Sequence, residues 1–252
     1  MSNRLKTRNR SRIGLLGAMS MATMLIAFSM SGCARKDTGS LPAIDGALLD
    51  AGHTRVYGIM QNGTRVVEAQ FTATKTADGS GWTFHNVSIV GGAAVQDTTV
   101  SANSAFVPTR TVTDLKTANG DYHIDTTYEG TKVTIKADTP NGPQTIDREA
   151  KAPFIDNDQV LDVVGAMALK DGFKASFNLV VPNSASMVST GVEVTGTEQV
   201  KVAFGEFAAY KVTLKFDTVT QTAWYAVDGH RLLKYDNGTT TMELEQVNPI
   251  AG

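Results

Sequence analysis

The chain has 252 residues, 42% hydrophobic and 19% charged, a composition that suits one folded domain with an appendage and is too polar for a multi-span membrane protein. The net charge of -2 hides a partition: all five bases of residues 1–32 are unopposed, and the rest of the chain carries 18 Lys and Arg against 25 Asp and Glu. An acidic body without Lys/Arg clusters excludes nucleic acid as the natural partner class.

Arg4, Lys6, Arg8, Arg10 and Arg12 are followed by an uncharged run, Ile13 to Met30, the order of a secretory signal. A run of that length also just suffices to span a bilayer as a helix, so length alone does not decide. The run ends on Met30-Ser31-Gly32-Cys33, with small residues before the chain's single cysteine. This junction resembles the lipobox of bacterial lipoproteins, although that pattern prefers Leu where Met30 stands.

The resemblance implies that residues 1–32 are a signal peptide, cleaved before Cys33, and that Cys33 carries the lipid; an uncleaved N-terminal anchor is the competing reading. Several acyl chains together hold a protein stably at a membrane, whereas one holds it marginally. The partner expected through Cys33 is thus the membrane itself. Ala34, in place of Asp, directs such proteins of enteric-type bacteria to the outer membrane, facing the periplasm. A lone cysteine also excludes an intrachain disulfide, so the exported domain must rest on its own core.

Residues 33–52 are small and polar, with Pro42 and a short apolar piece at Ala47 to Leu49, and are expected to form a flexible tether. From His53 to residue 248 a single β-rich domain is expected. Tyr210, Val212, Leu214 and Phe216 alternate with Lys211, Thr213, Lys215 and Asp217, which gives one strand an apolar and a wet face. Tyr122, Ile124, Thr126 and Tyr128 repeat the pattern, and Val133 and Ile135 continue it.

Asn62-Gly63, Asp78-Gly79, Asn119-Gly120, Asn141-Gly142, Asp228-Gly229 and Asn237-Gly238 punctuate these runs with residues that accept the positive backbone angles of tight hairpins. The prediction is mostly β: a curved antiparallel sheet or half-open barrel of ten to twelve strands. One helix, Asp158 to Lys170, breaks the alternation, with Val160, Val163, Val164 and Met167 at helical spacing. Asp156, Asn157 or Asp158 can cap its start and Gly172 can stop it. Leu161, Ala166 and Leu169 make it apolar around much of its circumference, so it should be buried in the concavity of the sheet.

The order of Phe106-Val107-Pro108-Thr109-Arg110, Asp156-Asn157-Asp158, Gly205-Glu206-Phe207-Ala208-Ala209-Tyr210, Trp224-Tyr225-Ala226, Leu232 to Tyr235 and Met242 to Leu244 resembles an exported family catalogued as domain of unknown function 3108. The resemblance covers about Phe106 to Val247, and the stretch His230-Arg231-Leu232-Leu233 departs from the Pro usual there. By analogy it implies the curved sheet of the lipoprotein carriers LolA and LolB, which cup acyl chains; fold alone does not fix function.

No catalytic or metal signature stands out. His53, His85, His123 and His230 lack ligand spacing. Asp156-Asn157-Asp158 with Asp162 has the start of a calcium loop but lacks its central Gly and terminal Glu, and helix capping accounts for these residues. Gly79-Ser80-Gly81 and Gly91-Gly92 are turns, since neither completes a phosphate loop or a nucleophile elbow. No metal, no cofactor and no enzymatic activity are expected.

Three functions compete. In the first, a non-catalytic module binds a lipid or other hydrophobic ligand with Trp82, Phe84, Val160, Val164, Met167 and Trp224. In the second, a structural or interaction protein has a solid core, and these residues simply fill it. The third, an enzyme, requires polar residues converging in a cleft. Whether the interior of the sheet is hollow or full separates the first two.

Overall fold

The computed structural model describes residues 41–250; the expected leader, Cys33 and the first part of the expected tether, residues 33–40, lie outside the described residues. The alternating runs form fifteen strands: β1 (His53–Gln61), β2 (Thr64–Lys75), β3 (Gly81–Val90), β4 (Ala93–Asn103), β5 (Pro108–Thr117), β6 (Gly120–Glu129), β7 (Lys132–Thr139), β8 (Gly142–Glu149), β9 (Phe154–Asp156), β10 (Lys174–Val181), β11 (Ser186–Val202), β12 (Gly205–Phe216), β13 (Val219–Ala226), β14 (Leu232–Asp236) and β15 (Thr241–Pro249). This corrects the expected ten to twelve. Elements such as β8, with Ile146 its one large apolar side chain, and the three-residue β9 carry almost no alternation, and backbone pairing alone makes them strands.

All fifteen belong to one sheet, ordered β8-β7-β6-β5-β4-β3-β2-β1-β15-β14-β13-β12-β11-β10-β9. β1 to β8 and β10 to β15 each form a meander, and the two join where β1 lies antiparallel to β15, His53 opposite Pro249. Only the β9–β10 pair is parallel. All six Asn-Gly and Asp-Gly pairs stand at connections between consecutive strands, with Gly120 and Gly142 opening β6 and β8. At Asn62-Gly63 both residues have positive φ, 51° and 76°, the two-residue turn whose twist matches a hairpin.

The ends of the sheet approach each other through side chains. The Arg148 Nε of β8 donates to the Ala185 carbonyl (3.2 Å), and a small core of Ile124, Tyr128, Val133, Ile135, Phe154 and Val180 fills the seam. The main core occupies the concavity, where Tyr57, Phe84, Phe216, Tyr225 and Leu244 surround Val163, Val164 and Met167.

The helix is there and buried, but short: α1 spans Val160–Gly165 after a 3-10 turn at Asn157–Gln159, not Asp158 to Lys170. Asp156 caps the 3-10 turn, accepting from the Asp158 amide (2.8 Å), and α1 itself begins after Gln159 without a side-chain cap. The following carbonyls are claimed by other segments, which ends the helix. Ala166 O accepts from Asp45 N (2.8 Å), Met167 bridges to Ile44, and His230 Nδ1 lies 3.1 Å from the Gly165 and Met167 carbonyls.

Residues 41–52, expected to belong to the tether, lie against the domain. Leu49 is buried, and Asp50 pairs with Arg231 (2.7 Å) and His53 (3.0 Å). Among the described residues no helix is long and apolar enough to cross a membrane.

Candidate functional site

Burial of α1 draws polar groups inward with it. Asp162, in the first turn of the helix, meets the Arg55 guanidinium of β1. Burial alone would lower the Arg55 pKa, but the Asp162 carboxylate, helped by Tyr57 and Asp50, holds the group above its ordinary value. Tyr225 donates to Leu161 O (2.9 Å) and Tyr57 to Leu232 O (3.1 Å). At the helix approach, Asp156 accepts from Thr111 Oγ1 (2.6 Å) and from Tyr128 Oη, and burial nonetheless pushes its pKa up. Asp158 is pushed well above the carboxylate range by burial, then by Asp156.

Two concavities are candidates. The inner one, beside α1, has a volume of about 60 Å³, and its walls include Asn86, Asp158, Asp162, Phe71, Leu161 and Tyr235. The outer one has about 440 Å³ and lies between the segment Ala47 to Asp50, the start of β12 at Phe207 and Ala208, and the β13–β14 connection from Val227 to Arg231. Its floor includes Leu49, Ala226 and Leu233, all buried in the core. At its edge Phe207 stacks on Phe204 (centroids 5.9 Å apart, planes 7° apart), and Arg231 lies over the Phe204 ring (5.7 Å) while bonded to Asp50. Small-molecule sites span about 300–1,000 Å³, so the outer groove is of ligand size and the inner cavity suits only a small group or a few waters.

The residues nominated from the sequence do not gather around either. Trp82 and Phe84 are buried on β3, Trp82 stacked on Phe106 (5.4 Å), and Val164 and Met167 are buried in the main core. Val160 alone of the six lines the inner cavity. Trp224 lies half-buried on the sheet's other side, donating to Glu198 (2.6 Å) between Lys211 and Lys234.

Among the described residues no three His, Cys, Asp or Glu side chains are gathered to hold a metal. Three histidines pair singly with Asp50, Asp97 and Asp114, and the fourth, His230, faces the carbonyls that end α1. Sequence reading passed over Arg55 and Asn86, although each left a signal. Both are polar residues at inward positions, in line with Tyr57 and Ile59 on β1 and with Trp82 and Phe84 on β3.

A structure from Brucella abortus, titled as a beta-barrel-like protein of domain of unknown function DUF1849, is similar at 14% identity and a TM-score of 0.52, covering 79% of this chain and 98% of that one. An exported protein with a YmcC-like fold from Bacteroides fragilis reaches 9% identity and a TM-score of 0.37 over 83% of this chain and 100% of its own. No curated protein matches. The family model of DUF3108, described as a protein of unknown function, matches residues 53–245. The match takes in β1 to β4, which the sequence resemblance from Phe106 onward did not reach, and the chain belongs to the DUF3108 family.

Proposed function

We propose that this protein is a lipid-anchored module of the bacterial envelope, tethered through Cys33 at the outer membrane, that binds a lipid or other hydrophobic ligand without catalysis. The observation that carries the ligand reading is the outer groove of about 440 Å³. It replaces the concavity as the binding place, because the inner cavity of about 60 Å³ is several times smaller than ligand pockets of about 300 Å³ and above. Leu48, Leu49, Phe207 and Val227 offer an apolar bed, and Arg231 and Asp228 offer polar ends, a division that fits an amphipathic molecule.

A second reading, an interaction protein with a solid core, is favoured by how completely the concavity is filled: Phe84, Val163, Val164, Met167 and Leu244 have essentially no exposure. The two readings separate on one measurement. Full-length protein extracted in mild detergent is titrated with a fluorescent fatty acid and examined by native mass spectrometry. One equivalent bound, and lost in Ala208→Trp, is the expected result; no uptake by the folded protein overturns the ligand reading. Anchoring is checked by growth with a fatty-acid analogue, where Cys33→Ala must lose the label.

A further inference from the structure

The approach to α1 carries three carboxylates near one guanidinium, Arg55: Asp156 and Asp162 are buried, and Asp158 is half-buried between them. Arg55 neutralises Asp162. Asp156 is satisfied by two hydroxyls and an amide, from Thr111, Tyr128 and Asp158. The Asp158 carboxylate is different: among the described residues nothing donates a hydrogen bond to it and no cation pairs with it. A half-buried carboxylate without a partner loses part of its hydration uncompensated, and that cost is relieved by a proton or by a cation.

Asp158 forms part of the wall of the inner cavity, and so does Asn86. Asn86 is 7% exposed; its Nδ2 donates to the Asp158 carbonyl, and its Oδ1 accepts nothing from the described residues. Two acceptors of the cavity wall, one charged and one neutral, thus receive no hydrogen bond from the described residues. Around them stand Phe71, Leu161, Tyr235 and Met242, and the first three keep partial exposure, so the cavity is reached from solvent.

Volume and chemistry together select the occupant. A calcium-type cation takes 6–8 oxygens, and the described residues gather no three acidic or histidine side chains for a metal. An ammonium group on a short alkyl stem matches better, with N–H donors for the two oxygens, a positive charge for the carboxylate, and methylenes for the aromatic and aliphatic walls.

We propose that the inner cavity is a binding site for a small primary alkylammonium group, held by the Asp158 carboxylate and Asn86 Oδ1 with its stem against Phe71 and Leu161. This site is separate from the outer groove and stands or falls without it.

The test is calorimetric and thermal titration of the full-length protein with n-butylammonium chloride, with calcium chloride and tetramethylammonium chloride as comparisons. Saturable binding and a rise in melting temperature are expected for n-butylammonium alone. Affinity falls about tenfold or more in Asp158→Asn, which keeps the shape but removes a charged hydrogen-bond acceptor. Ser88→Leu, which narrows the cavity without touching the carboxylate, weakens binding as well. Absence of saturable n-butylammonium binding, undiminished binding by a folded Asp158→Asn variant, or saturation by calcium in place of the amine overturns the proposal.

Discussion

Arg55 and Asp162, 107 residues apart in the chain, form an ion pair inside the protein, each side chain only 4% exposed. The pair fastens α1 to β1, where the two meanders join. Removing one partner strands the other charge in the interior, so Arg55→Ala is expected to destabilise by about 3–5 kcal/mol. The double replacement Arg55→Met with Asp162→Leu is expected to recover most of that loss. Urea unfolding of the three variants checks both; equal losses for single and double variants would refute the assignment.

Asp156 and Asp158 both have folded pKa values raised above their unfolded ones. The native state therefore holds protons that the unfolded chain releases, and their contribution to stability is full below about pH 4 and declines as pH rises through the folded values. Asp158→Asn removes its share of that decline. Unfolding midpoints of wild type and variant should diverge toward neutral pH, with the variant the more stable there in the absence of any cationic ligand.

Asp78, in the turn between β2 and β3, shows the opposite sign. The Ser80 amide, the Thr76 hydroxyl and the Ser80 hydroxyl all donate to it, and its pKa falls to about 2. In Ser80→Ala the carboxylate should titrate closer to the ordinary value, which side-chain NMR across the acid range reads directly.

Gly165 closes α1 against the β13–β14 connection. A Cβ there would stand 2.8 Å from the His230 carbonyl and 3.2 Å from the Tyr225 ring. Gly165→Ala is expected to cost about 1–3 kcal/mol by overpacking, against the gain of about 1 kcal/mol that Ala brings to an unconstrained helix. Thermal denaturation distinguishes the two signs.

The two tryptophans should behave unlike each other. Trp82→Ala empties space in the core and is expected to cost about 3–5 kcal/mol. Trp224, half-buried on the outer surface, is expected to cost about 1 kcal/mol or less on truncation, in line with exposed sites generally. Denaturation curves followed by circular dichroism test both without relying on tryptophan emission.

The strands that sequence alone exposes are those with one wet face. In β12, Val212, Leu214 and Phe216 are buried while Lys215 is exposed, and in β6 Ile124, Thr126 and Tyr128 turn inward as their alternation predicts. Turn chemistry located the connections for the same local reason. The length of α1 was not legible, because what ends it comes from Ile44, Asp45 and His230, far away in the chain. The groove is hidden in the same way: Leu49, Phe207 and Leu233 share it only because the sheet order brings three distant segments to one place. Burial of an aromatic residue is local information; which aromatic residues border open space is not.

The pairing of β1 with β15 also governs when the domain can form. His53 lies opposite Pro249, so the seam in the middle of the sheet closes only after nearly the whole domain has left the ribosome. Until then β1 presents an unpaired edge, and the first meander is a template for unwanted strand addition. Contacts so distant in sequence slow the final step of folding. A chain released before β15 is complete keeps that edge, and such fragments should be drawn into aggregates.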